Sequence, residues 1–297
     1  MGKTATLPPE PETKALTPVA SAPKSDKPDS LSIIASFQTS DAAKNSKFAV
    51  CKPGGDLIEA MAENSIAGDK FSFNDLPKTK VPTGGETEWK IASVAGSEVV
   101  KEIRGVLVFY GKAGTLWALD KMAEGAKPLL ISNDLKDCVQ ISDDFGDLDQ
   151  AAIEECFTHQ DEAGKNHYDW EKLPYNQWGS GKNGGKRCKE QRLLCILREN
   201  DLVPVFLRVP PASVTGVHDF VKRLTLQTQR RHYESIVTLT LEKAVNKEGT
   251  PYSTVKIIGN GFVSKEEGQF FKAMYTDSLS YAMKDAAVVS ETQDEIE

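Results

Sequence analysis

Between Trp89 and Phe262 the chain repeatedly sets apolar side chains at every second position, the spacing of a strand with one face against a core. Trp89 to Val94 alternates in this way. Glu102 to Tyr110 (EIRGVLVFY) is the densest β-branched and aromatic run of the first half, and glycines flank its end. Trp117 to Leu119 and Leu129 to Ile131 predict shorter strands, and Val203 to Val209 another. Gln191 to Arg198 is apolar enough to be buried, as helix or strand. Tyr233 to Ala244 and Tyr252 to Phe262, joined by a turn over Asn246 to Pro251, predict a long antiparallel hairpin.

Helical spacing is rarer. Asp56 to Glu63 predicts a helix of about two turns. Ser213, after Pro210 and Pro211, predicts an N-cap for an amphipathic helix over Val214 to Leu226. Ser264-Lys-Glu-Glu267 is a capping box. It opens a helix to about Ala286 with Phe270, Phe271, Met274, Tyr275 and Leu279 as its buried stripe. Phe71 to Gly85, with alternating aromatics and two prolines, predicts an extended segment. From Asn133 to Tyr175 regular patterns fade, apart from a short helix over Leu148 to Phe157.

Together these elements predict an α+β fold: a β-rich antiparallel barrel or sandwich, OB-like, with a long irregular insertion (133–190) and two helices in the C-terminal half. Residues 1–30, rich in Pro, Ala, Thr, Ser and Lys, predict a disordered tail. Residues 31–287 predict one domain, and 288–297 an acidic tail that could recruit protein partners. The first residues hold no apolar core of a signal peptide, and no run reaches the ~20 apolar residues of a spanning helix. A cytoplasmic location with five reduced cysteines is expected.

Charge changes the picture. The net charge is -7, yet Trp178 to Arg231 carries eleven Lys/Arg against four Asp/Glu. Within it, Trp178 to Arg192 (WGSGKNGGKRCKEQR) holds four glycines and five basic residues. Cations hold backbone phosphates, and unpaired bases stack on aromatic faces. Tyr175, Trp178, Lys182, Lys186, Arg187, Lys189 and Arg192 are therefore the candidate nucleic-acid-binding residues. A nucleotide-binding phosphate loop is excluded by spacing: Gly185-Lys186 has Ser180 where the first glycine belongs and Arg187 where Ser or Thr belongs. Cys138, Cys156, His159 and Cys188, with His167 close by in sequence, form a candidate metal set, with a Cys-x-x-His spacing in Cys156 to His159. Asp143, Asp144, Asp147 and Asp149 make a carboxylate cluster of the kind that can hold Mg²⁺. No nucleophile elbow or metalloprotease helix motif is present, and no catalytic residue is assigned.

Several stretches resemble one family of uncharacterised proteins encoded by phages and mobile elements. They are DLPKTKVPTGG (Asp75 to Gly85), Trp89, EIRGVLVFY, Trp117, LPYNQWGSGKNGGKRCKEQRLLCILR (Leu173 to Arg198), LRVPPASV (Leu207 to Val214) and VTLTLEKAVNKEGTPYS. The Asn-x-Trp-Gly-Ser…Gly-Lys-x-Cys-Lys motif is the most specific of them. The resemblance implies DNA replication or recombination. It also implies a zinc knuckle joining Cys188 to cysteines before the motif, but this chain has Trp170 and Leu173 where a Cys-x-x-Cys is expected. The expectation is a non-enzymatic single-stranded DNA-binding protein, with RNA as a second ligand and either no cofactor or structural zinc. The alternatives are a protein-interaction accessory protein of a phage or plasmid and a metal-dependent nuclease.

Overall fold

A computed structural model describes residues 30–52, 76–118, 127–181, 184–247, 249–276 and 279. Its spine is the fifteen-residue strand β4, Glu102–Leu116. In chain order the other strands are β1 (Lys78–Thr79), β2 (Trp89–Ser93), β3 (Gly96–Val100), β5 (Leu130–Ser132), β6 (Asp137–Gln140), β7 (Phe157–Gln160), β8 (Asn166–Asp169), β9 (Lys189–Leu197), β10 (Val205–Val209), β11 (Ser235–Val245) and β12 (Pro251–Phe262). They form one sheet of twelve strands in the order β3-β2-β1-β10-β9-β4-β5-β6-β8-β7. The hairpin of β11 and β12 joins through β11 on β4. All pairings are antiparallel except β1 with β10.

One edge of β4 carries β9 along most of its length. The other edge is shared. Its first half takes β11, from Glu102 opposite Thr240 to Val106 opposite Ile236. Its last three residues take β5, from Gly114 opposite Ser132 to Leu116 opposite Leu130. Between them the edge turns to a helix: the Thr276 hydroxyl donates to the Val108 carbonyl at 2.6 Å.

The apolar run of β9 is a strand covered on both faces. Leu193, Cys195 and Leu197 point into one core, and Leu194 and Ile196 into another. The first core is closed by the helices Ser30–Gln38, Asp41–Asn45 and Lys265–Phe271. There Phe37 stacks on Phe270 with ring centroids 4.7 Å apart. A bulge in β4 between Leu107 and Phe109 lets Val108 and Phe109 both feed this core. The second core is closed by the helix Pro211–Arg223 through Val217 and Phe220.

The α+β class is as the sequence predicts, but the sheet is open, not a closed OB-like barrel: its terminal strands β3 and β7 do not pair. A barrel hides one apolar interior. Here both faces of the central strands are apolar, and helices cover each, so closure is not needed to bury them.

The insertion is also not irregular. It holds β6, β7, β8 and the one-turn helix Gln150–Glu154, around a third core of Leu116, Leu130, Cys138, Ile153, Tyr168, Trp170, Leu173 and Cys188. Gly114 makes this packing feasible, because a Cβ there would overlap the Trp170 indole. The predicted helix over Leu148 to Phe157 shrinks to Gln150–Glu154, capped by Asp149, and Phe157 opens β7. Ser213 is not the N-cap of its helix. Pro210 holds that position, and the buried Ser213 hydroxyl instead accepts the Val255 amide at 2.9 Å. The capping box of Ser264 and Glu267 is formed as predicted. Of the described part of the final helix, Lys265–Phe271 is α and Lys272–Thr276 is a π turn. Ser30 begins a helix. The expected tails over 1–29 and 288–297, the helix at 56–63 and the segment 71–75 lie outside the described residues. No described helix is long and apolar enough to cross a membrane.

Candidate nucleic-acid interface

The glycine-rich loop leaves the third core at Leu173 and returns to it at Cys188. A 3₁₀ turn, Pro174–Asn176, starts it. The Tyr175 carbonyl is its anchor. It accepts the Cys188 amide at 2.9 Å, the Arg187 amide at 3.1 Å and the Ser180 hydroxyl at 2.8 Å. The two arms are then laced by Gly179 N to Gly184 O at 3.1 Å and Gly181 N to Gly185 O at 2.8 Å. A Cβ on Gly181 would stand 2.9 Å from the Lys186 carbonyl, so only glycine permits this approach.

The seven sequence-predicted residues separate into distinct roles. Trp178 is 80% exposed at the turn of the loop. Lys186 Nζ lies 5.9 Å from the Trp178 ring centroid, a cation–π distance, and donates to Asn176 Oδ1 at 3.2 Å. Lys189 is exposed and donates to the Lys186 carbonyl at 2.8 Å. These three form one basic, aromatic surface, within which Lys186 also pairs with Glu190 Oε1 at 3.7 Å.

Arg187 and Tyr175 build the loop instead. Arg187 Nη2 meets Asp147 Oδ1 at 2.5 Å, its guanidinium lies 5.6 Å from the Tyr175 ring, and the Tyr175 hydroxyl accepts the Asp149 amide at 2.6 Å. Arg192 is not at the loop surface. It is 7% exposed within β9, with Nε donating to the Tyr110 hydroxyl at 3.3 Å and Nη1 to the Gln191 carbonyl at 2.8 Å. Lys182 lies outside the described residues.

The predicted metal set divides too. Cys138, Cys156 and Cys188 are buried in the third core beside Trp170 and Leu173. Those two residues, which stand where the knuckle's Cys-x-x-Cys is expected, are buried there and offer no metal ligand. Burial pushes the Cys188 thiol up to about 12, against the lowering effect of Lys186, Lys189 and Arg187. Burial likewise raises Cys138 and Cys156. The Cys138 thiol donates to the Tyr168 carbonyl at 3.2 Å. His159 lies on the other face of the small sheet: it pairs with His167, whereas Cys138 and Phe157 pair with Tyr168. Among the described residues, one ligand atom from each of Asp137, His159 and His167 lies within 4.8 Å of the others, a group that contains no cysteine. Sequence reading left Asp137 out. The available signal was two histidines flanking a Gly164 turn, the mark of a hairpin that aligns them.

The four clustered aspartates serve local structure. Asp143 accepts from Gln140 at 3.1 Å, Asp144 from the Gly146 amide at 3.1 Å, Asp147 from Arg187, and Asp149 caps the helix Gln150–Glu154. No family model matches the chain, and neither a curated protein nor a solved structure matches it.

Proposed function

We propose that this chain binds single-stranded nucleic acid without catalysing a reaction, through the surface of Trp178, Lys186 and Lys189. The observation that carries the reading is Trp178. A large indole left 80% exposed on a loop whose backbone is laced by hydrogen bonds costs solvation with no packing return. A base stacked on it would recover that area, while the two lysines meet phosphates. The acidic remainder of the chain does not oppose this, because local charge governs approach. The resemblance of the Asn176 to Lys189 motif to phage and mobile-element proteins supports a role in DNA replication or recombination.

Titration of the full chain with oligo-dT at two salt concentrations tests the reading. Binding should quench tryptophan fluorescence and weaken with salt, by about 0.7 in log–log slope per phosphate contact. Absence of binding to both DNA and RNA oligonucleotides overturns it. Salt-sensitive binding of poly-glutamate in place of oligonucleotides would instead make the loop a dock for an acidic protein.

A further inference from the structure

The last three strands of the sheet, β6, β8 and β7, bring one carboxylate and two imidazoles to a single face. Val139 is opposite His167, and His167 is opposite His159. Asp137 lies two residues from Val139 along β6 and so shares its face. Strand register alone therefore assembles the group. Asp137 Oδ2 is 2.6 Å from His167 Nδ1, and the two imidazoles stack with centroids 4.4 Å apart and planes 23° apart.

His167 is the key residue. It is only 8% exposed, and its Nε2 is buried without a hydrogen-bond partner. Asp161 Oδ2 faces that nitrogen at 3.5 Å, an ion-pair distance. One imidazole thus has a carboxylate toward each nitrogen and a second imidazole stacked against it.

We propose that Asp137, His159 and His167 bind a divalent transition-metal ion of the Zn²⁺ class. The metal takes the place of the proton between His167 Nδ1 and Asp137 Oδ2. The Nε2 of His167 then carries its proton toward Asp161, whose carboxylate fixes the tautomer and the ring orientation. Two nitrogens and one oxygen are a donor set suited to Zn²⁺. Ligands at ~2.0–2.1 Å from a tetrahedral ion stand about 3.3 Å apart, so ligand atoms already grouped within 4.8 Å reach it once the 2.6 Å Asp137–His167 contact opens by under about 1 Å. Three protein ligands leave a fourth position for water. His159 sits on the exposed edge strand β7, so solvent reaches the group from that side.

The site is independent of the Trp178 surface, and its test reads metal alone. The full chain, freed of metal by dialysis against chelator, is titrated with Zn²⁺ in competition with a chromogenic chelator, and separately with Co²⁺. One equivalent should bind, and the Co²⁺ spectrum should lack the intense charge-transfer absorption of a thiolate ligand. His159→Ala, at an exposed position, should keep the circular dichroism of the parent and weaken binding at least about tenfold. Cys138→Ser should bind as the parent does. No saturable binding, binding unchanged in His159→Ala, or a Co²⁺–thiolate band would each overturn the assignment.

Discussion

Arg187 Nη2 stands 2.5 Å from Asp147 Oδ1 and ties the cationic loop to the acidic stretch 40 residues upstream. The Arg187 side chain is 12% exposed, so this pair is shielded on one side. Removing it by Asp147→Ala should cost about 1.5–3 kcal/mol in urea unfolding, the range for a hydrogen bond to a charged group. Hydrogen exchange should rise at the Arg187 and Cys188 amides, which both depend on the Tyr175 carbonyl. Unchanged exchange would show that the backbone lacing alone holds the loop.

Trp178 and its neighbours should respond in the opposite sense. Trp178→Ala should leave stability within about 0.5 kcal/mol, since little is buried. Oligonucleotide affinity should fall by roughly 1–3 kcal/mol, the worth of one stacked base. Lys186→Ala and Lys189→Ala should each flatten the salt dependence by about 0.7 per lost phosphate contact. Fluorescence titration of the variants reads both effects.

His232 should make stability fall in mild acid. Burial lowers its pKa from 6.5 to about 4. Its ring sits beside those of Tyr233 and Tyr110, and its Nε2 has no hydrogen-bond partner. The unfolded chain takes up a proton below about 6.5 that the folded chain refuses until about 4. The contribution is therefore complete above pH 6.5 and is lost as pH falls toward 4, by roughly 3 kcal/mol. Denaturant unfolding at pH 7 and pH 4.5 should show a smaller loss for His232→Phe than for the parent.

Gly114→Ala should unfold the insertion-side core before the rest. The added methyl would overlap the indole of the fully buried Trp170. Overpacking of this kind costs about 1–3 kcal/mol. Circular dichroism in the near-ultraviolet should report a disturbed Trp170, whereas an unchanged signal and midpoint would mean that the core repacks freely.

The strands of the centre were legible because their residues obey one rule at a time. Val205–Val209 and the hairpin of β11 and β12 are apolar or alternating over long runs, and Ser264 with Glu267 marks a helix start by direct chemistry. The small strands β6, β7 and β8 were not legible. Each has four residues, and polar side chains such as Asp137, Gln160 and Asn166 make them look like loop. Sheet closure was hidden for a different reason: an apolar strand records that it is covered, not whether helices or strands cover it. Of the candidate interface, Trp178 could be read from its glycine-rich surroundings. The burial of Arg192 could not, since a cation ending a basic loop and one beginning a buried strand have the same letter.

The shared edge of β4 has a mechanical consequence. Among the described residues, the strands β5, β6, β8 and β7 pair with the rest of the sheet through three residues of β4, Gly114 to Leu116, helped by the packing of Trp170 and Cys188 and by the hydrogen bond from Arg208 to Asn133. Such a junction should let this wing open at less than the global unfolding free energy. The Trp178 loop springs from that wing at Leu173 and rejoins the spine through β9, so it spans the seam between two foldons. A ligand that orders the loop would also staple the seam, and its binding energy would appear as protection of the wing.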